Sequence, residues 1–300
     1  MISARRPNRH AAILGCFLAV CAVALAAYSL LSEADSRLIH TEPSEFAPVF
    51  VFEEHGERCM NFEQIESFGR QTCFDLDDPD KMVFAYTRMM TSALFVMPKP
   101  TNVLIIGLGG ATMPRALEKI VPEAAIDTVE IDPAVVRVAE RFFGYRQGPR
   151  QRVFVEDGRA FVERARGEGR TYDMVMLDAF DVDYIPAHLL TREFLEDVRA
   201  ILSPDGVLVA NTFTNSDMYD QESATYAAVF GDFFNLRAGN RVIIAGRGEL
   251  PDDETLRRRA EAWADALKPF GIDAIRELRR YSRERDWNEN AAALTDRPNP

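Results

Sequence analysis

The stretch Val103-Leu104-Ile105-Ile106-Gly107-Leu108-Gly109-Gly110 drives an apolar, β-branched run straight into a glycine-rich turn. The run reads as a buried strand, and the glycines let the backbone turn tightly and a ligand approach the main chain before a helix begins. Alone, such a turn is weak evidence for a ligand site, because a tight strand-to-helix connection can use the same glycines. Outward from it the unit repeats. Short apolar strands are expected at Ala125 to Glu130, Gln151 to Val155, Met174 to Leu177, Val207 to Asn211 and Arg241 to Ala245, most of them separated by helical stretches. This alternation specifies an α/β fold, a doubly wound, Rossmann-like and mostly parallel sheet.

Ligands of such sheets bind beyond the C-terminal strand ends, so the strand tips carry the chemistry. The second strand ends Thr128-Val129-Glu130-Ile131-Asp132-Pro133. Glu130, about twenty residues after the glycines, is placed to accept hydrogen bonds from two ribose hydroxyls. Each such charge-assisted bond contributes roughly 1.5–3 kcal/mol. Asp132 joins it as a candidate for cofactor binding, with Gly107, Gly109 and Gly110. The third strand ends Phe154-Val155-Glu156-Asp157-Gly158. There Asp157 is suited to accept from an adenine amino group and Gly158 to leave room for the ring. A dinucleotide site wants a third glycine where Thr112 stands, so a nicotinamide enzyme is disfavoured and a site of the S-adenosylmethionine type, with no pyrophosphate to hold, is favoured. Asp178 ends the fourth strand, near Asp181 and Asp183. An alkylammonium of pKa near 10.4 must lose a proton before it attacks carbon, at a cost of about 4–5 kcal/mol at neutral pH. A carboxylate at Asp178 can take that proton while its neighbours hold the remaining cationic amines.

The rest of the chain sets the frame. Of 300 residues, 47% are hydrophobic and 27% charged, which excludes a collagen-like, mostly disordered or polytopic membrane chain. Beyond residue 40 there are 31 basic against 45 acidic side chains, a charge near −14. Nucleic acid is therefore a poor partner, and cationic partners become more plausible, although a solvated acidic surface is the commoner meaning of such a charge. Arg5, Arg6 and Arg9 precede an apolar run from Ala11 to Leu31, long enough to span the roughly 30 Å of a bilayer core. The charge bias predicts a single-pass inner-membrane anchor in residues 1–40 with the following domain outside the cytoplasm. A cleaved signal ending near Ala24-Leu25-Ala26 is the alternative. The lipoprotein-like Ile13-Leu14-Gly15-Cys16 is discounted because its apolar run lies after the cysteine. Residues 41–80, opening with a Pro-containing linker, read as a small antiparallel β-subdomain, 81–250 as the nucleotide-binding catalytic domain with a first helix from Lys81 to Phe95, and 251–300 as a charged tail, helical to about Asn290. Cys59 and Cys73 can join in an oxidising compartment if adjacent strands bring them together. Four scattered histidines give no ligand spacing, so no metal is expected.

The glycine turn, Val129-Glu130-Ile131-Asp132-Pro133, Glu156-Asp157-Gly158, the run Tyr172 to Asp181, Leu190-Thr191-Arg192-Glu193-Phe194 and Ser203-Pro204-Asp205-Gly206-Val207-Leu208 together resemble the spermidine synthase family of aminopropyltransferases, from about Phe50 to Ala245. The resemblance implies transfer of an aminopropyl group from decarboxylated S-adenosylmethionine, a co-substrate and not a tightly bound cofactor, to a small-molecule polyamine acceptor. It assigns Glu130 to the ribose, Asp157 to the adenine, Asp178 as the base and Asp181 to the polyamine. It also implies substrate contacts for Gln71 and Tyr86, and a homodimer. The chain departs from the family where Gly110 replaces an Asp, Thr87 a His and Val182 a Pro. An Asp at 110 would repel the carboxylate of full S-adenosylmethionine by roughly 4 kcal/mol at about 4 Å and an effective dielectric near 20. Its absence keeps open a methyltransferase using the carboxylated donor in the same pocket. A non-catalytic polyamine or nucleoside binder is the alternative of another class.

Overall fold

A computed structural model describes residues 36–62, 70–180 and 184–297. Its first part is a four-stranded antiparallel meander in chain order, β1 (Arg37–Glu42), β2 (Val49–Glu54), β3 (Glu57–Asn61) and β4 (Thr72–Asp75). The β2–β3 hairpin turns on His55-Gly56, both at positive φ (51° and 79°). That geometry matches the twist of the flanking strands. β1 begins before the expected linker. It is mostly polar and carries no apolar alternation; backbone pairing to β2 and an Arg37–Glu53 ion pair at 2.6 Å hold it.

Helix α1 (Ala85–Thr91) continues into a 3-10 turn, Ser92–Phe95, and leads to the main sheet. Strands β5 (Asn102–Ile106), β6 (Ala125–Glu130), β7 (Gln151–Val155), β8 (Tyr172–Leu177), β9 (Leu202–Phe213), β10 (Phe233–Ala238) and β11 (Asn240–Gly246) lie in the order β10-β11-β9-β8-β5-β6-β7. The five from β5 to β9 are parallel; β11 pairs antiparallel with β9, and β10, antiparallel to β11, runs again in the direction of the five. Between them run α2 (Thr112–Ile120), α3 (Pro133–Phe142), α4 (Gly158–Gly167), α5 (Arg192–Ile201) and α6 (Tyr219–Phe230). Strand residues alternate between two cores: Val103, Ile105, Met174, Met176 and Val209 pack on one face, and Leu104, Ile106, Val175, Leu177 and Leu208 on the other. A sheet buried on both faces needs this continuous apolar run. A third cluster joins Val49, Val51 and Met60 of the small sheet to Leu108, Val135, Ala139 and Phe143, so the meander packs against the glycine turn and α3.

The chain reverses direction of strand order between β5 and β8, and the crevice at that switch point is where such sheets bind ligands. The C-terminal tail departs from its expected helix. After α7 (Asp253–Leu267) comes a 3-10 turn, Lys268–Phe270, then the short α8 (Ala274–Leu278), and residues 279–297 are irregular. Pro269 lacks a backbone N–H and Gly271 sits at φ 70°, which together end the helical run. The expected membrane segment, Ala11 to Leu31, lies outside the described residues. Among those described, no helix is long and apolar enough to cross a membrane.

Candidate active site

Register alone brings three strand tips together. Ile106 pairs with both Val129 and Leu177, so Gly107, Glu130 and Asp178 emerge side by side at one edge of the sheet. Gly107 has φ 100°, and a Cβ there would stand 2.2 Å from the Asp178 carbonyl oxygen. Only glycine fits. The turn is tied down by Glu130, whose Oε2 accepts from Leu108 N–H (2.9 Å) and Oε1 from Asp132 N–H (3.0 Å). Burial pushes the Glu130 carboxyl above its ordinary range, and those N–H donors offset only part of the effect. Each oxygen keeps a lone pair for a further donor. Above the turn opens a cavity of about 430 Å³.

Asp178 lines that cavity. Burial raises its carboxyl to about 6, against the lowering effect of hydrogen bonds donated by Asn211 and by the Tyr86 hydroxyl. Asn211 Nδ2 reaches Asp178 Oδ1 at 2.8 Å, and Asn240 Nδ2 in turn donates to Asn211 Oδ1 at 3.1 Å, which fixes the amide with its NH₂ toward the carboxylate. Tyr86 stacks on Phe84 at 5.9 Å. A carboxylate near 6, held by two donors in a cleft, is suited to general-base work at neutral pH.

The opposite end of the cavity is built on helix starts. Asp157 caps α4, accepting from Ala160 N–H at 3.0 Å, and its other oxygen meets His188 Nε2 at 2.8 Å. Burial raises its carboxyl, but Ala160 and His188 outweigh that and hold it below the ordinary range. Gly158 is fixed by packing as well, because a Cβ there would stand 2.6 Å from Ile106 Cγ2. Asp132 caps α3 through Ala134 N–H (2.7 Å) and accepts from Ser44 Oγ (2.6 Å), pinning the segment before β2 to the rim. Gln71 and Thr72 also line the cavity. The space beside Gly110 is taken by Thr72, 2.6 Å from where a Cβ would be. Asp181, like Val182 and Asp183, lies outside the described residues. Cys59 and Cys73 face each other on β3 and β4 and are joined by a disulfide. They are two of the three members of the metal-capable group found among the described residues, and the bond consumes both sulfurs as ligands.

Residues 83–235 match the spermine/spermidine synthase domain. The polyamine aminopropyltransferase of Vibrio vulnificus is 44% identical over 91% of this chain and 93% of its own length. This chain belongs to the spermine/spermidine synthase family. A probable spermidine synthase from Corynebacterium glutamicum shares the fold at TM-score 0.69 and 21% identity, over 87% of this chain and 97% of that one. Human methyltransferase-like protein 13, solved in complex with SAH, superposes at TM-score 0.53 and 26% identity over 69% of this chain and 93% of its own.

Within this family member the cavity gathers Gly107, Gly109, Gly110, Glu130, Asp132, Asp157, Gly158, Asp178, Gln71 and Tyr86, every sequence-level candidate that the structure describes. Two further residues escaped the sequence reading. Asn211 was visible only as the end of an apolar strand, and register with β8 is what carries it to Asp178. His188 sits in a 3-10 turn, Ala187–Leu189, that no periodicity announces.

Proposed function

We propose that the protein transfers an aminopropyl group from decarboxylated S-adenosylmethionine to an amine acceptor. Glu130 holds the ribose from beneath the glycine turn, Asp157 and His188 meet the adenine edge, and Asp178 faces the reacting carbon. Asp178 takes a proton from the acceptor ammonium. The freed nitrogen lone pair attacks the methylene beside the sulfonium, a C–N bond forms as the C–S bond breaks, and the bonding pair returns to sulfur, leaving neutral 5′-methylthioadenosine. Gln71, Tyr86 and Asp181 serve the acceptor side.

One observation carries the choice of donor. The cavity wall contains Glu130, Asp132, Glu156, Asp157 and Asp178 but, among the described residues, no lysine or arginine. A cationic sulfonium with an amine suits that wall; the carboxylate of the full donor would find no lysine or arginine in it, and the His188 ring is already engaged by Asp157. The space opened by Gly110 is filled by Thr72, so the missing Asp does not create a carboxylate site. The test is incubation of the protein with each donor and a diamine, read by mass spectrometry. Methylthioadenosine formed from the decarboxylated donor is the expected product. S-adenosylhomocysteine formed from the full donor would establish the methyltransferase instead, and binding without turnover the non-catalytic reading.

We also infer that residues 1–40 anchor the domain at the inner membrane, facing out of the cytoplasm. The basic cluster before Ala11 to Leu31 supports this orientation, and the Cys59–Cys73 disulfide is the bonding an oxidising compartment permits. The chain should stay in the membrane fraction after alkaline extraction, and its cysteines 59 and 73 should resist alkylation until reduced. Release into the soluble fraction would point to the cleaved signal. A homodimer, suggested by the family, is checked by sedimentation of the detergent-solubilised protein.

A further inference from the structure

Beyond α8 the described residues, 279–297, make no regular element, yet they are tied at short intervals as they cross the helices on one face of the sheet. Trp287 stacks on Phe233 with centroids 5.0 Å apart. Asn288 N–H donates to Asp220 (3.2 Å), Leu294 N–H to Thr225 Oγ1 (2.8 Å), and the Leu294 carbonyl accepts from Arg192 N–H (2.8 Å). Asp296 N–H then donates to Glu193 (3.0 Å). At its end the strap grips Arg159: Nη1 meets Asp296 Oδ1 at 2.7 Å and Nη2 meets Oδ2 at 2.5 Å.

Arg159 stands two residues after Asp157 in the first turn of α4. Its Nη1 also points at the His188 carbonyl (3.4 Å), while the His188 ring meets Asp157 (2.8 Å). Asp157 and His188 line the cavity; Arg159 and Asp296 lie behind them. We propose that the C-terminal strap is a positioning element for the donor nucleoside, with Asp296 fixing Arg159, and through it His188 and Asp157, at the base end of the cavity. This rests on reading that cavity as an adenosine site. A two-pronged guanidinium–carboxylate pair sets direction as well as distance. Without Asp296, Arg159 keeps a single side-chain carboxylate contact, from Nε to Glu163 at 3.1 Å, and its fork is free to swing. Coupling of this kind is reciprocal, so bound nucleoside must also tighten the strap.

The test compares the full chain with its Asp296→Asn and Asp296→Glu variants, using 5′-methylthioadenosine as the calorimetric probe. Asp296→Asn should weaken its binding about 5-fold and raise the donor KM to match, with kcat and the acceptor KM unchanged. Asp296→Glu should recover part of the loss. On the wild-type chain, saturating methylthioadenosine should slow hydrogen exchange at the Leu294 and Asp296 amides, which donate to Thr225 and Glu193. Unchanged binding in Asp296→Asn overturns the proposal. So does a loss shared equally by the acceptor KM and accompanied by a lower Tm, which marks a general loss of structure. A wild-type chain that binds no methylthioadenosine overturns the adenosine reading itself, whereas wild-type binding matched by the variant overturns only the strap's role.

Discussion

Asp178 is held in tension between two demands. Burial favours its protonated form, and Asn211 and Tyr86 favour its charged form, with the balance at about 6. The base works only when ionised, so kcat/KM should fall as pH drops through about 6. Tyr86→Phe or Asn211→Ala removes a donor to the carboxylate, which raises its pKa further and moves that acid limb to higher pH; an unmoved limb would assign it to another group. Asp178→Asn should lower kcat by about 10²–10⁴ while methylthioadenosine still binds. The linkage sign gives that variant a second signature. A carboxyl raised on folding binds its proton more tightly in the native state, so its ionisation costs stability from the ordinary range near 3.8 up to about 6 and the cost persists at neutral pH. Asp178→Asn should therefore melt higher than wild type at pH 7. At Gly107 the expectation is reversed: φ 100° and the Asp178 carbonyl 2.2 Å from any Cβ mean that Gly107→Ala should cost about 3 kcal/mol or more, read by denaturant unfolding.

The Cys59–Cys73 bridge ties β3 to β4 across a separation of 14 residues that includes Gln71 and Thr72 of the cavity wall. Closing a loop of that length stabilises by about 3 kcal/mol through the unfolded chain. A reductant, or Cys59→Ala with Cys73→Ala, should lower Tm and raise the acceptor KM more than the donor KM. An equal rise in both would place the wall's acceptor role in doubt. Elements differ in how far the sequence shows them. Four of the five parallel strands, β5 to β8, were legible because each is a short apolar run ending in a glycine or an acid, and the tips that carry Glu130, Asp157 and Asp178 were legible with them. The β10–β11 hairpin was half seen. Its inner strand β11 reads as an apolar run, whereas β10 is fixed by its ladder to β11 and by buried Arg241 of β11, which donates to Asn235 Oδ1 (3.0 Å) and, eighteen residues away, to Ser223 Oγ (2.8 Å), contacts that leave no local pattern. β1 and the C-terminal strap stayed hidden for the same reason. They are held by individual hydrogen bonds to distant residues, and such bonds leave no periodicity to read.

Across the whole molecule the charge and the cavity point the same way. The chain carries a net −12, and among the described residues the acids that line the cavity face no lysine or arginine across it. A field of one sign focused into a cleft concentrates counter-ions there and speeds their arrival. The acceptor proposed here is a polycation, the donor a cation, and the product nucleoside is neutral, so one protein offers three ligands that differ in charge. Raising ionic strength from about 0.01 to 0.15 M shortens the screening length from roughly 30 to 8 Å. kcat/KM for a diamine should then fall about 10-fold. The fall should be smaller for a monoamine of equal length, and methylthioadenosine binding should not change. Steady-state kinetics in a KCl series, with calorimetry of the nucleoside at the same salts, measures all three. If the diamine and the neutral nucleoside respond alike, the acidic surface acts only as a solvating coat, and acceptor selection would have to come from contacts inside the cavity alone.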